Sequence, residues 1–211
     1  MGEVYEARQL DSGEHVALKY CKRTGADHLL RFKREFRALA DLEHENLIKL
    51  GELVVLPSEQ LFFTMELLSG TTLMHYLRGP LERGALPNLV RVRRAMRQLV
   101  AGLCALHDAG WLHRDIKPSN VIVTTGGRVV LLDFGLVRDA ESKGGKNKLG
   151  EVLGTPAYMA PEQAAALAAT PASDFYALGT ILFEALTGHR PFAGSVREVL
   201  EAKVEGDAPR P

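Results

Sequence analysis

The 211-residue chain is 46% hydrophobic and 25% charged, a composition ordinary for a globular protein with one large domain or two lobes sharing an interface. Its 26 basic and 26 acidic side chains cancel, which removes any electrostatic basis for a nucleic-acid or anionic-membrane partner. With no apolar run approaching a membrane span and no signal-peptide pattern, a cytoplasmic setting is expected, with Cys21 and Cys104 as reduced, buried thiols.

In chain order, the turn residues Asp11-Ser12-Gly13 separate two β-type runs, which predicts a hairpin with strands over Val4–Gln9 and Glu14–Cys21. Leu29, Phe32, Phe36 and Leu39 then recur at helical spacing, with Asp27 placed to cap the helix. The runs "NLIKLGELVVL" and "LFFTMELL" flank Pro57-Ser58-Glu59 and predict a second pair of strands. From Leu89 to Ala109 an amphipathic helix is expected, with Val92, Met96, Leu99, Leu103 and Leu106 on its inner face. The runs "VIV" and "RVVLLD" predict a small hairpin around Gly126-Gly127, and Asp139–Glu151, without apolar period, predicts a mobile loop. "FYALGTILFEALTG" is apolar nearly all round, as a buried helix would be. Strands plus one helix, followed mostly by helices, predict an α+β fold of two lobes with a crevice between them.

The chemistry concentrates in "WLHRDIKPSN", Trp111 to Asn120. A lone Asp–Asn pair is usually a polar turn. Here Asp115 and Asn120 sit within His-Arg-Asp-Ile-Lys-Pro-Ser-Asn, and Asp133-Phe134-Gly135 follows at hairpin distance. Phosphoryl transfer requires a base to orient the attacking hydroxyl, a task suited to Asp115. It also requires oxygen ligands for a divalent ion on the phosphates, a task suited to Asn120 and Asp133.

With these motifs the chain resembles the eukaryotic-type (Hanks-type) serine/threonine protein kinases, in the bacterial style. "HRDIKPSN" and "DFG" match the catalytic loop and metal motif, "VALK" (Val16 to Lys19) the phosphate-holding lysine strand, and Ala160-Pro161-Glu162 the end of the activation segment. The resemblance covers essentially the whole chain. It implies a bilobal fold, with an N-lobe over residues 1–67 and a C-lobe over residues 68–211, and transfer of the ATP γ-phosphate to protein Ser/Thr hydroxyls with Mg2+, or Mn2+ in its place.

The resemblance also distributes roles. Lys19 is expected to hold phosphates, with Glu35 as its ion-pair partner, and Lys117 to contact the transferred phosphate. Gly2 and Val4 fall in the glycine-rich lid. Val4, Ala17 and Ile122 would sandwich the adenine, Met65 takes the gatekeeper position, and Glu66 and Leu68 offer hinge backbone groups. His113 is expected to be structural, Asp174 to hold the catalytic loop's backbone, and Thr155 to hydrogen-bond near Asp115 and form the substrate platform. Arg114 would meet an activation-loop charge, either a phosphate on Ser142 or an acid such as Glu151. Ser119 and Thr72 stand where arginine-directed relatives carry acids, which argues against a strong upstream-arginine preference.

The sequence departs from the family pattern at both ends. Two upstream glycines of the lid would precede Met1, so Met1 is expected to be an internal residue of a longer chain, whose missing parts leave room for a membrane anchor. Glu162 is expected to lack the arginine that pairs with it in the family, and so to stay hydrated or protonated. A non-catalytic binding module and a small-molecule phosphotransferase are the rival readings. The full set of Lys19, Glu35, Asp115, Asn120 and Asp133 argues against the first, and "GTPAYMAPEQ" against the second.

Overall fold

The computed structural model describes residues 3–21, 26–56, 60–81, 85–133 and 155–206. Strands β1 (Val4–Arg8) and β2 (His15–Cys21) form the expected hairpin, each one residue shorter than the pattern suggested. Its turn closes by Gly13 N donating to Gln9 O at 2.9 Å, with Gly13 at φ 73°, where a side chain would be strained. Strands β3 (Leu50–Val55) and β4 (Leu61–Glu66) complete an antiparallel sheet of order β1-β2-β4-β3.

Helix α1 (Ala26–Ala40) begins one residue before Asp27, so Asp27 lies inside the first turn and not at the cap. Phe32, Phe36 and Leu39 are buried, and both rings meet Phe63 of β4, with centroids 6.4 and 5.3 Å apart. Pairings of Val4 with Lys19, Ala17 with Met65 and Lys19 with Phe63 put these residues on one face of the sheet, the face that α1 covers in part.

The helical part begins with two elements too short to carry a period, β5 (Gly70–Thr72) and α2 (Leu73–Arg78). Helix α3 (Leu89–Asp108) starts at Asn88, whose side chain accepts from Arg91 N at 3.0 Å. It buries Val92, Ala95, Leu99, Leu103 and Leu106, with Met96 only half-buried. Each fully buried leucine contributes about 2 kcal/mol. Strands β6 (Val121–Thr124) and β7 (Val129–Leu131) form the hairpin around Gly126-Gly127 and join β5 in a three-stranded sheet.

Helices α4 (Pro161–Ala164), α5 (Pro171–Thr187) and α6 (Val196–Glu205) follow. The apolar α5 begins earlier than its hydrophobic run because Pro171 occupies its first turn, and it ends at Gly188 with φ 82°. Arg78 of α2, itself buried, donates to Ala185 O at 3.0 Å and so satisfies a carbonyl in the last turn of α5.

The sheet and the helical part are clipped together by the segment before β3. Asn46 is buried; its amide donates to Val129 O at 2.8 Å, its carbonyl accepts from Leu131 N at 2.9 Å, and Ile48 N donates to Leu131 O at 3.0 Å. A β-rich lobe on a helical lobe is the predicted α+β, bilobal arrangement. Cys104 is a free thiol as expected, but half-buried and not buried; the side chain of Cys21 and the loop Asp139–Glu151 lie outside the described residues.

Candidate active site

The loop from His113 to Asn120 leaves α3 and returns into β6, and buried polar groups fix its backbone. Asp174, 2% exposed on α5, accepts from His113 N and Arg114 N, both at 2.8 Å, one on each carboxylate oxygen. The His107 ring donates to the same carboxylate at 2.8 Å. Arg114 sits at φ 63°, a left-handed conformation costing about 1–2 kcal/mol for a residue with a side chain, and the Asp174 hydrogen bond restrains it there.

His113 is fully buried. Asp115 N donates to its Nδ1 at 3.3 Å, so Nε2 carries the proton and donates to Leu132 O at 2.7 Å. Burial pushes its pKa below the ordinary 6.5, against the pull of its bond to Leu132, so the ring is neutral. A buried, neutral ring engaged at both nitrogens is consistent with the structural role read from the sequence. Phe134 lies outside the described residues.

On this frame Lys117 Nζ donates to Asp115 Oδ2 at 2.8 Å, and Asn120 Nδ2 donates to Asp115 O at 2.9 Å. Leu132 N donates to Asn120 O at 2.8 Å, which brings Asp133 alongside Asn120. Asp133 is the second left-handed residue of the site, at φ 57°. With the Asn120 amide nitrogen engaged, its Oδ1 faces no donor among the described residues, and the Asp133 carboxylate is one-third exposed. Two hard oxygen donors on adjacent elements fit a divalent cation of the magnesium type.

Lys19 departs from expectation. Its ammonium pairs with Asp133 Oδ1 and makes no ion pair with Glu35. Ala17 and Met65 are buried as a cross-strand pair, and Ile122 is half-buried on β6. Val4 is 54% exposed. Glu66 N donates to Lys49 O at 3.0 Å, and its carboxylate pairs with Arg128, which leaves the Glu66 carbonyl as its hinge group. Leu68 is half-buried, and no other backbone group among the described residues takes its N–H. Gly2, Ser142 and Glu151 lie outside the described residues.

Thr155 and Asp115 line one small cavity without a hydrogen bond between them. Glu162 has a partner that the motif did not reveal: its half-buried carboxylate accepts from Ser173 Oγ. Several supporting groups received no role from the sequence, although two of them lie within "GTPAYMAPEQ". Gln163 accepts from Ala160 N at 3.0 Å, and Tyr158 Oη donates to Glu184 Oε2 at 2.5 Å, with burial and that carboxylate raising the phenol's pKa. His107 is likewise found only through its contact with Asp174.

A profile of the protein kinase domain matches residues 1–207. The chain is 39% identical to the serine/threonine-protein kinase PkaA of Streptomyces coelicolor, over 100% of this chain and 41% of that protein. It is 38% identical to the serine/threonine-protein kinase PknL of Mycobacterium tuberculosis, over 98% of this chain and 51% of the relative, and 35% identical to pkn2 of Myxococcus xanthus, over 100% and 26%. The chain thus spans about half or less of the length of these curated relatives. Among the described residues no helix is long and apolar enough to cross a membrane. A domain match over nearly the whole chain, on a fold that brings Asp115, Lys117, Asn120 and Asp133 together, makes this chain a member of the protein kinase family, of the bacterial Hanks-type serine/threonine group.

Proposed function

We propose that this chain transfers the γ-phosphate of ATP to serine or threonine hydroxyls of proteins, as part of bacterial signalling in the cytoplasm. One observation carries the reading: Asp115 holds Lys117 at 2.8 Å on a loop whose backbone is fixed by the buried Asp174. Asp115 orients the acceptor hydroxyl and takes its proton as that oxygen bonds to the γ-phosphorus and the bond to the ADP oxygen breaks. Lys117 lies beside the base, where its ammonium offsets charge on the transferred group.

Asn120 Oδ1 and Asp133 would hold Mg2+, or Mn2+, which neutralises phosphate charge when bound. In this reading Lys19 exchanges Asp133 for the α- and β-phosphates, with Glu35 positioned on α1 to take up the lysine. The adenine lies against Ala17 and Ile122 below Val4, with Met65 at the gatekeeper position and the backbone of Glu66 and Leu68 at the hinge between residues 1–67 and 68–211. Arg114 receives an activation-loop charge, Thr155 begins the peptide platform, and Glu162 closes it. Tyr158, before α4, and Gln163, within it, are both fixed by hydrogen bonds and support a peptide platform, which favours a protein substrate over a small molecule.

The test is transfer of radiolabel from ATP to protein by the full-length protein, with Asp115→Asn and Lys19→Met as controls. Loss of the general base lowers the rate by about 10²–10⁴-fold. Labelling by both variants at the wild-type rate would refute the roles given.

A further inference from the structure

Helix α6 opens with a reciprocal cap, in which Ser195 Oγ accepts from Glu198 N and Glu198 Oε2 accepts from Ser195 N at 2.7 Å. It buries two side chains four residues apart, Val199 and Lys203, while Val196 and Val204 remain exposed. Lys203 is only 2% exposed. Its ammonium donates to Ala157 O at 2.9 Å and to Met159 O at 2.6 Å. It also lies over the Tyr176 and Phe192 rings, 5.0 and 5.7 Å from their centroids.

No carboxylate among the described residues is within ion-pair distance of it. Burial pushes its pKa down to about 8. An apolar side chain of similar length would fill the same space without desolvating a charge. What the ammonium adds is two charge-assisted bonds to carbonyls that would otherwise be buried without it, supported by two ring faces.

Those carbonyls flank Tyr158, which is tied to Glu184 of α5. The segment from Thr155 to α4 is therefore gripped from α5 through Tyr158 and from α6 through Lys203. Gln163 extends the grip to the catalytic loop, donating to Arg114 O at 3.4 Å. We propose that Lys203 is a positioning residue for the protein substrate: its ammonium fixes the Ala157 and Met159 carbonyls, and with them the platform on which the acceptor segment docks. The inference rests on the kinase reading of Thr155–Glu162 given above. Because Lys203 touches neither Lys19 nor Asp133, its loss acts on the peptide side of the reaction and not on nucleotide binding.

Steady-state kinetics of the full-length protein test this, with dephosphorylated casein as acceptor and Lys203→Met, Lys203→Gln and Lys203→Arg as variants. The KM for casein rises roughly tenfold or more in Lys203→Met, as expected for two lost charge-assisted bonds. It rises less in Lys203→Gln, and Lys203→Arg stays close to wild type, while the KM for ATP is unchanged throughout. An unchanged casein KM in Lys203→Met overturns the proposal. So does a parallel rise in both KM values, with a fall in melting temperature, in Lys203→Met and Lys203→Gln, since that is the signature of general loosening. If the wild type labels casein no faster than Asp115→Asn does, the kinase reading itself falls, an outcome distinct from failure of the lysine's role.

Discussion

Replacing Asp174 by asparagine keeps the size of a buried side chain and changes only what it can accept. One carboxylate oxygen takes His113 N and the His107 ring, and the other takes Arg114 N alone, all at 2.8 Å. The introduced amide must turn its NH2 toward one of these oxygens' donors. Facing the first would confront two donors and facing the second only one, so the amide turns its NH2 to Arg114. A buried donor left unmatched costs about 1–3 kcal/mol. The loss falls on the residue held at φ 63°, whose strain of about 1–2 kcal/mol is then free to relax by moving the loop. Pulling Arg114 out of this conformation displaces Asp115, the next residue. Asp174→Asn should therefore lower kcat by about 10–100-fold, the equivalent of about 1.4–2.7 kcal/mol, with little change in the KM for ATP. Single-turnover phosphate transfer, compared with thermal melting, reads both effects. A kcat within twofold of wild type would refute the claim that Asp174 holds the catalytic loop in place.

Two further perturbations test the frame. A Cβ on Gly102 would meet Asn46 O at 2.8 Å and Asn46 Cβ at 3.0 Å, so Gly102→Ala should cost about 1–3 kcal/mol and lower the melting temperature by about 2–4 °C per kcal/mol; an unchanged melt would mean that α3 is not packed this closely on the lobe clip. His113 is neutral in the fold with its pKa below 6.5, whereas the unfolded chain binds a proton there as the pH falls through 6.5. The unfolded state then holds more protons, so stability falls toward acid as the pH drops through 6.5. The stability advantage of wild type over His113→Asn should accordingly shrink between pH 7 and pH 5.5 in denaturant titrations, and a constant gap would refute the assignment.

The parts of the fold visible in the sequence are those in which packing repeats at a regular interval. Val92, Leu99, Leu103 and Leu106 mark α3 because one face of a long helix must be apolar, and the turn residues Asp11-Ser12-Gly13 between two β-type runs mark the first hairpin. Elements β5, α2 and α4 span three, six and four residues, fewer than two helical turns, and so show no period. In α6 the hydropathy pattern misleads: two of its valines face solvent while Lys203 turns inward, because what receives it is a pair of carbonyls and two rings from distant segments. Asp115, Asn120 and Asp133 were legible through their motif. The partners of Glu162 and Lys19 were not, since Ser173 and Asp133 reach them only through tertiary packing.

The left-handed residues Arg114 and Asp133 flank the chemistry, one beside Asp115 and the other supplying a candidate metal ligand. Neither conformation is favoured locally, so the surrounding hydrogen bonds must hold both. Asp174 restrains the first through Arg114 N, and His113 restrains the second through the carbonyl of Leu132, the residue before Asp133. These two buried groups are themselves joined, since Asp174 accepts from His113 N. Protonating His113 would put a hydrogen on Nδ1, where the ring now accepts from Asp115 N, and would set two donors against each other. Keeping His113 neutral is therefore the condition under which one network can hold the proposed base and the candidate metal-binding aspartate together, and burial of the ring meets that condition.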